Sequence, residues 1–171
     1  TGEPVQVALG NGGLGGMSTP DTLAGLYLVS HLARRSALAE VPLRVRVAEA
    51  TALAGALAAL QQGAVSTGYP EAFDPGQAEM VAPQPLPYAA GVAGRVRSEP
   101  LVASAMVGNY GPEVALPAEA GLEQGLAQVG RLRYLGRLDL VREESAGPGG
   151  NSAFRLADVW PRFQVGYELA A

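Results

Sequence analysis

The residues best placed for chemistry in this chain are glycines. Gly10, Gly12 and Gly15 stand at G-x-G-x-x-G spacing inside Gly10-Asn11-Gly12-Gly13-Leu14-Gly15-Gly16, after the strand-like Pro4–Leu9 and before an apolar helical stretch. In a dinucleotide-binding turn such glycines let the backbone approach a pyrophosphate, while the helix N-terminus supplies N–H donors. The neighbouring residues do not complete that site. An acid about 20 positions on would hold the ribose, whereas the acid at the end of the second strand is Glu49, 34 positions after Gly15. Asp21 puts a carboxylate in the first helical turn, where it suits the dipole and repels a phosphate, and no arginine occurs before Arg34. The first strand ends in Ala8-Leu9, without the carboxylate a methyl-donor nucleoside site would use. The glycines therefore read as a tight turn with close packing, and no cofactor is expected.

Other chemistries are poorly supplied. The chain has no cysteine and one histidine, which excludes disulfides, thiolate catalysis and cysteine-ligated metals. His31, between Tyr27 and Arg34-Arg35, reads as a helix-surface histidine, and the adjacent Ser30 points about 100° away from it on a helix, so the two are not a nucleophile and its base. Glu113, Glu119 and Glu123, and the pair Glu143-Glu144, read as solvated faces. No catalytic residue and no metal ligand set is expected.

Charge points the same way. All 12 basic residues are arginine and the net charge is −4. Residues 1–126 carry 6 Arg against 11 Asp and Glu, and residues 127–171 carry 6 Arg against 5. Neither part offers the clustered positive charge and stacking aromatics of a nucleic-acid surface. The chain opens at Thr1, which reads as a processed or excised terminus, and no signal peptide is visible. Its longest apolar runs, Leu23–Val29 and Ala50–Leu60, fall short of a membrane span, so the chain reads as soluble.

The elements that must position these residues alternate. Strands are expected at Pro4–Leu9, Leu43–Ala48, Glu79–Ala82 and Leu101–Val107. Helices are expected from Ser18 or Thr19 to about Leu38, over Thr51–Ala64, over Tyr88–Val96 and from Pro112 to about Leu122. Leu23, Leu26, Leu28, Val29 and Leu32 wrap around the first helix, which predicts burial on more than one side. Arg44 and Arg46 alternate with Leu43, Val45 and Val47, which predicts a strand with one face or edge in water, near the sheet margin. Tyr69–Gln77, with Pro70, Pro75 and Gly76, reads as a surface loop.

Strand–helix alternation predicts an α/β fold: a three-layer, Rossmann-like domain over residues 1–126 with a mainly parallel sheet of four or five strands. Residues 127–171 read as a C-terminal β-rich appendage, a hairpin of Arg131–Val141 and Phe154–Val165 around Ala146–Asn151, packed on or beside the domain. In a doubly wound sheet strands one and four meet at the switch point. Gly10, Asn11, Gly12, Ser18, Thr19, Asp21, Asn109, Tyr110 and Glu113 then line a candidate ligand crevice. Phe154, Trp160, Phe163 and Tyr167 form a candidate interface in the tail, where aromatic side chains would anchor a protein partner or self-association; the competing reading is that they cap the hydrophobic core.

Several stretches carry a resemblance: Pro4–Leu9, Thr22-Leu23-Ala24-Gly25-Leu26, Val41–Val47, Pro87-Tyr88-Ala89-Ala90-Gly91-Val92, and Val107-Gly108-Asn109-Tyr110-Gly111-Pro112-Glu113. Over residues 4–120 the chain resembles an uncharacterised bacterial family of membrane-associated proteins, similar in the strand–glycine–helix opening and in G-x-[FY]-x-x-E, matched by Gly108, Tyr110 and Glu113. The resemblance implies an α/β domain tethered near a membrane by segments outside this chain, and no activity comes with it. The residues themselves favour a non-catalytic structural or interaction domain of a larger protein. The alternative is a small-molecule or nucleotide-type binder using the crevice.

Overall fold

The computed structural model describes residues 2–134 and 137–143, with side chains through residue 130. Strand β1 (Val5–Leu9) leads into helix α1 (Thr19–Ala39), then β2 (Leu43–Val47), α2 (Ala50–Ser66), β3 (Ala78–Met80), α3 (Pro85–Ser98), β4 (Ala103–Asn109), α4 (Ala115–Glu123), β5 (Ala127–Tyr134) and β6 (Arg137–Glu143). The sheet order is β3-β2-β1-β4-β5-β6. The first five of these strands pair parallel, and β6 pairs antiparallel with β5. This is the expected α/β class, with five parallel strands and a switch point between β1 and β4.

Period-two alternation builds two cores from the same strands. Val7, Leu9, Val45, Val47, Ala105 and Val107 face α1 and α2. Ala8 and Met106 face the other way, against Tyr88, Val92, Tyr110 and Ala118 of the α3–α4 side. Helices cover both faces, which parallel sheets require.

Local chemistry accounts for the helix ends. Ser18 occupies the N-cap of α1, with Pro20 and Asp21 in its first turn. The loop Tyr69–Gln77 holds two short 3₁₀ turns, Pro70–Ala72 and Pro75–Gln77, the second closed by a capping box between Asp74 and Gln77.

Three expectations are corrected. The burial expected on more than one side of helix α1 does not reach Leu23, which is 52% exposed, as is Tyr27 at 77%; Thr22, Gly25, Val29 and Ala33 form its inner face. Leu26, Leu28 and Leu32 are partly buried at the flanks of that face. Arg46 does not see water; it is 3% exposed on β2, the strand next to the edge strand β3. Its charge is met by Glu79 of β3 at 2.5 Å and by Glu99, just beyond α3, at 2.5 Å. The β-rich segment does not begin beside the sheet. Residues 127–134 are its fifth parallel strand, and the antiparallel pairing runs between 127–134 and 137–143, so Arg131–Val141 is divided between two strands. The parallel layer thus passes the expected boundary at 126. Residues 144–171, with the expected partner strand Phe154–Val165, lie outside the described residues.

Candidate functional site

The site is built at the C-terminal ends of β1 and β4, which pair in register from Val5↔Ala103 to Leu9↔Val107. Pairing continues past the strands: Gly10 N–H donates to the Val107 carbonyl at 2.9 Å and Asn11 N–H to the Asn109 carbonyl at 2.7 Å. Only a residue without a side chain fits at Gly10, because a Cβ there would overlap the Asn109 carbonyl and the Tyr110 ring. The two loops therefore meet through backbone, as the switch-point geometry demands.

Side chains then tie the loops together. Asn11 Nδ2 donates to Glu113 Oε1 at 2.9 Å, and Gly111 N–H donates to the same oxygen at 2.8 Å. Asn109 Nδ2 donates to the Asn11 carbonyl at 3.3 Å. Asn11 Oδ1 is buried without a partner among the described residues.

The glycine loop is held from its other side by α2. Leu14 N–H donates to Thr51 Oγ1 at 2.8 Å, and the Thr51 hydroxyl donates to the Glu49 carboxylate. A Cβ on Gly13 would run into that carboxylate. Farther along, Gly15 and Gly16 N–H both donate to Thr19 Oγ1, at 2.9 and 3.0 Å. Thr22 Oγ1 lies 3.3 Å from the Gly13 carbonyl and 3.1 Å from that of Ser18, and donates to them. The amides of Leu14, Gly15 and Gly16 are thus spent on hydroxyls of the protein, and two carboxylates flank the loop.

Beneath the crevice two tyrosines lock the strand ends. The Tyr88 hydroxyl lies 2.5 Å from the Leu9 carbonyl and 2.9 Å from that of Arg46, so one donor serves adjacent strands β1 and β2. Tyr110 donates to the Ala8 carbonyl at 2.9 Å, and the two rings are tilted with centroids 6.3 Å apart. Burial holds both phenols well above the usual tyrosine range. For Tyr88 the neighbouring Tyr110 hydroxyl and the Arg46 charge partly oppose it; for Tyr110 the neighbouring Tyr88 and Glu113 add to it. Both phenols therefore stay protonated near neutrality and serve as donors to the strand carbonyls.

Of the expected crevice residues, Gly10, Asn11, Asn109 and Glu113 meet in one hydrogen-bonded cluster. Tyr110 turns inward, 3% exposed, and supports the strands instead of facing the crevice. Gly12 abuts Ser18, Thr19 shapes the glycine turn, and Asp21 is buried in the first turn of α1. The expected interface residues Phe154, Trp160, Phe163 and Tyr167 lie outside the described residues. Sequence reading gave no role to Tyr88 or Thr51. The available signals were a lone tyrosine after Pro85 and Pro87 at a helix start, and the Glu49-Ala50-Thr51 step at another. His31 is exposed on the outer face of α1, and Ser30 Oγ donates to the Tyr27 carbonyl at 2.8 Å, as befits helix-surface residues. Among the described residues no group of three or more His, Cys, Asp or Glu is placed to hold a metal ion, and no helix is long and apolar enough to cross a membrane.

No curated protein and no solved structure matches the chain. A family model matches residues 5–134, from the first residue of β1 to the last of β5, and the chain belongs to that family, the domain of unknown function DUF6754.

Proposed function

We propose that this chain is a non-catalytic structural or interaction domain of a larger bacterial protein, tethered near a membrane by segments outside these residues. The tether and the bacterial origin follow from the resemblance alone. The observation that carries the non-catalytic reading is the internal bonding of the Leu14, Gly15 and Gly16 amides of the glycine loop. Donors that would cradle a phosphate go to Thr19 and Thr51, and the loop is flanked by the carboxylates of Glu49 and Glu113. A nucleotide would have to displace those bonds and approach two carboxylates.

The interaction part rests on what stays exposed. Met17 at the loop tip is 97% exposed, and Leu23 and Tyr27, one turn apart on α1, are 52% and 77% exposed. Large apolar side chains grouped at one end of a helix and its preceding loop suit a protein partner.

The second reading, a small-molecule binder at the crevice, is favoured by one observation: Asn11 Oδ1 is a buried acceptor with no donor among the described residues. One experiment separates the two. In thermal shift, a ligand at 100 times its dissociation constant raises stability by about 2.7 kcal/mol, so millimolar NAD, ATP or S-adenosylmethionine would show as a shift of several degrees. No shift is expected. In parallel, a photo-crosslinker at position 27 of the full-length protein should capture a protein neighbour, and an M17S/L23S variant should lose it. A shift with any nucleotide, or no capture, overturns the reading.

A further inference from the structure

Helix α1 leaves a line of large side chains in water. Its inner face is made by Thr22, Gly25, Val29 and Ala33, whereas Leu23, Tyr27 and Leu38 are 52%, 77% and 65% exposed. Arg34 is exposed as well and makes no ion pair among the described residues. At 3.6 residues per turn these four outer residues fall within about 60° of one another and form one line about 22 Å long. Single exposed apolar residues are ordinary, but a line of them along one helix is a contact surface.

The order of that line selects what it fits. Leu23, Tyr27, Arg34 and Leu38 are spaced four, seven and four residues apart, so the spacing is the same from either end of the helix. Laid antiparallel against a second α1, about a two-fold axis between Ser30 and His31, Leu23 meets Leu38 of the second copy and Tyr27 meets Arg34 of the second copy. Each contact then occurs twice, which is the reciprocity an isologous interface requires. Charge is matched too, because each guanidinium lies against an aromatic face. A parallel pairing sets Arg34 against Arg34. An antiparallel pairing shifted by one turn sets Arg34 against Leu23 or His31 and carries one leucine past its mate. At the centre the Ser30 hydroxyl is folded back onto the Tyr27 carbonyl at 2.8 Å, which leaves a small side chain where the two helices cross.

We infer that the partner of this face is a second copy of the chain, held by antiparallel pairing of the two α1 helices. The inference rests on the interaction reading above and names its partner.

The test begins with sedimentation of this chain, which should show a monomer–dimer equilibrium. The chain has no cysteine, so introduced thiols report the register without background. Under mild oxidation an equimolar mixture of Leu23→Cys and Leu38→Cys should cross-link one variant to the other, while each alone gives little dimer. Arg34→Gln removes two cation–π contacts per dimer and should weaken association roughly tenfold. Its thermal unfolding in dilute solution should match the parent, as a surface substitution that leaves the fold intact. A chain that stays monomeric up to millimolar concentration overturns the inference. So does a dimer in which Leu23→Cys cross-links to itself, or one that Arg34→Gln leaves at full strength. The photo-crosslink at position 27 distinguishes this failure from that of the interaction reading: capture of a protein of other sequence by a monomeric chain upholds that reading and overturns the dimer, whereas capture of the same chain supports both.

Discussion

The side-chain amide of Asn11 donates to Glu113 Oε1 at 2.9 Å, joining residues 102 positions apart and closing the centre of the switch-point crevice. Because Gly111 N–H shares that oxygen, the one carboxylate organises both loops. Glu113→Ala should therefore lower stability by about 1–2 kcal/mol, read from urea unfolding, and speed amide exchange over Gly10–Gly16. A double-mutant cycle with Asn11→Ala should return a coupling of about 1 kcal/mol. Additivity of the two variants would show that the contact carries no energy.

Gly10 and Gly13 lie three residues apart and should answer differently to alanine. At Gly10 the new Cβ meets the Asn109 backbone, which cannot move without breaking the β1–β4 pairing, so the cost should be about 2–3 kcal/mol. At Gly13 it meets the mobile end of Glu49, which can swing aside, so the cost should stay under about 1 kcal/mol. Chemical denaturation of the two variants checks the order, and the reverse order would refute it.

Tyr88→Phe keeps the ring and removes the hydroxyl that serves the Leu9 and Arg46 carbonyls, leaving buried acceptors short of a donor at a cost of about 1–3 kcal/mol. The pH dependence follows from the direction of the shifts. Both buried phenols are raised above the unfolded value, so folding favours the neutral form; its contribution is complete below the ordinary tyrosine range, near pH 10, and is lost as pH climbs through the folded values. Ultraviolet titration should find two of the six tyrosines silent until alkaline unfolding. Y88F/Y110F should remove those two and leave the early phase unchanged.

Arg46 carries a buried charge bridged to Glu79 and Glu99, with Arg95 paired to Glu79 as well. Deleting both acids strands that charge, whereas Arg46→Met removes it and leaves Glu79 with Arg95. The double variant E79A/E99A should lose about 3–5 kcal/mol and R46M clearly less. Equal losses would mean that the side-chain stem of Arg46, rather than its charge, supports β2.

Much of this architecture was legible from local rules. Alternation of strand and helix periods specified the α/β class, Ser18-Thr19-Pro20-Asp21 marked the start of α1, and the glycine run marked the turn where β1 meets β4. These properties depend on backbone geometry and on neighbours within a few positions. The pairing of Asn11 with Glu113 was legible only as proximity, once the switch point was assumed.

What the tertiary structure alone decided are the outcomes that depend on which distant groups share a space. Arg44 and Arg46 look alike in the alternation, yet Arg46 is buried because Glu79 and Glu99 converge on it from β3 and the end of α3. Tyr110 sits in the crevice motif but turns inward because the Ala8 carbonyl offers a partner in a dry layer. Residues 127–134 read as the start of an appendage, but the open edge of β4 left backbone groups to pair, and β5 satisfies them in parallel. Periodicity reports which way a side chain points; what it meets there is set by chain segments that the pattern does not see.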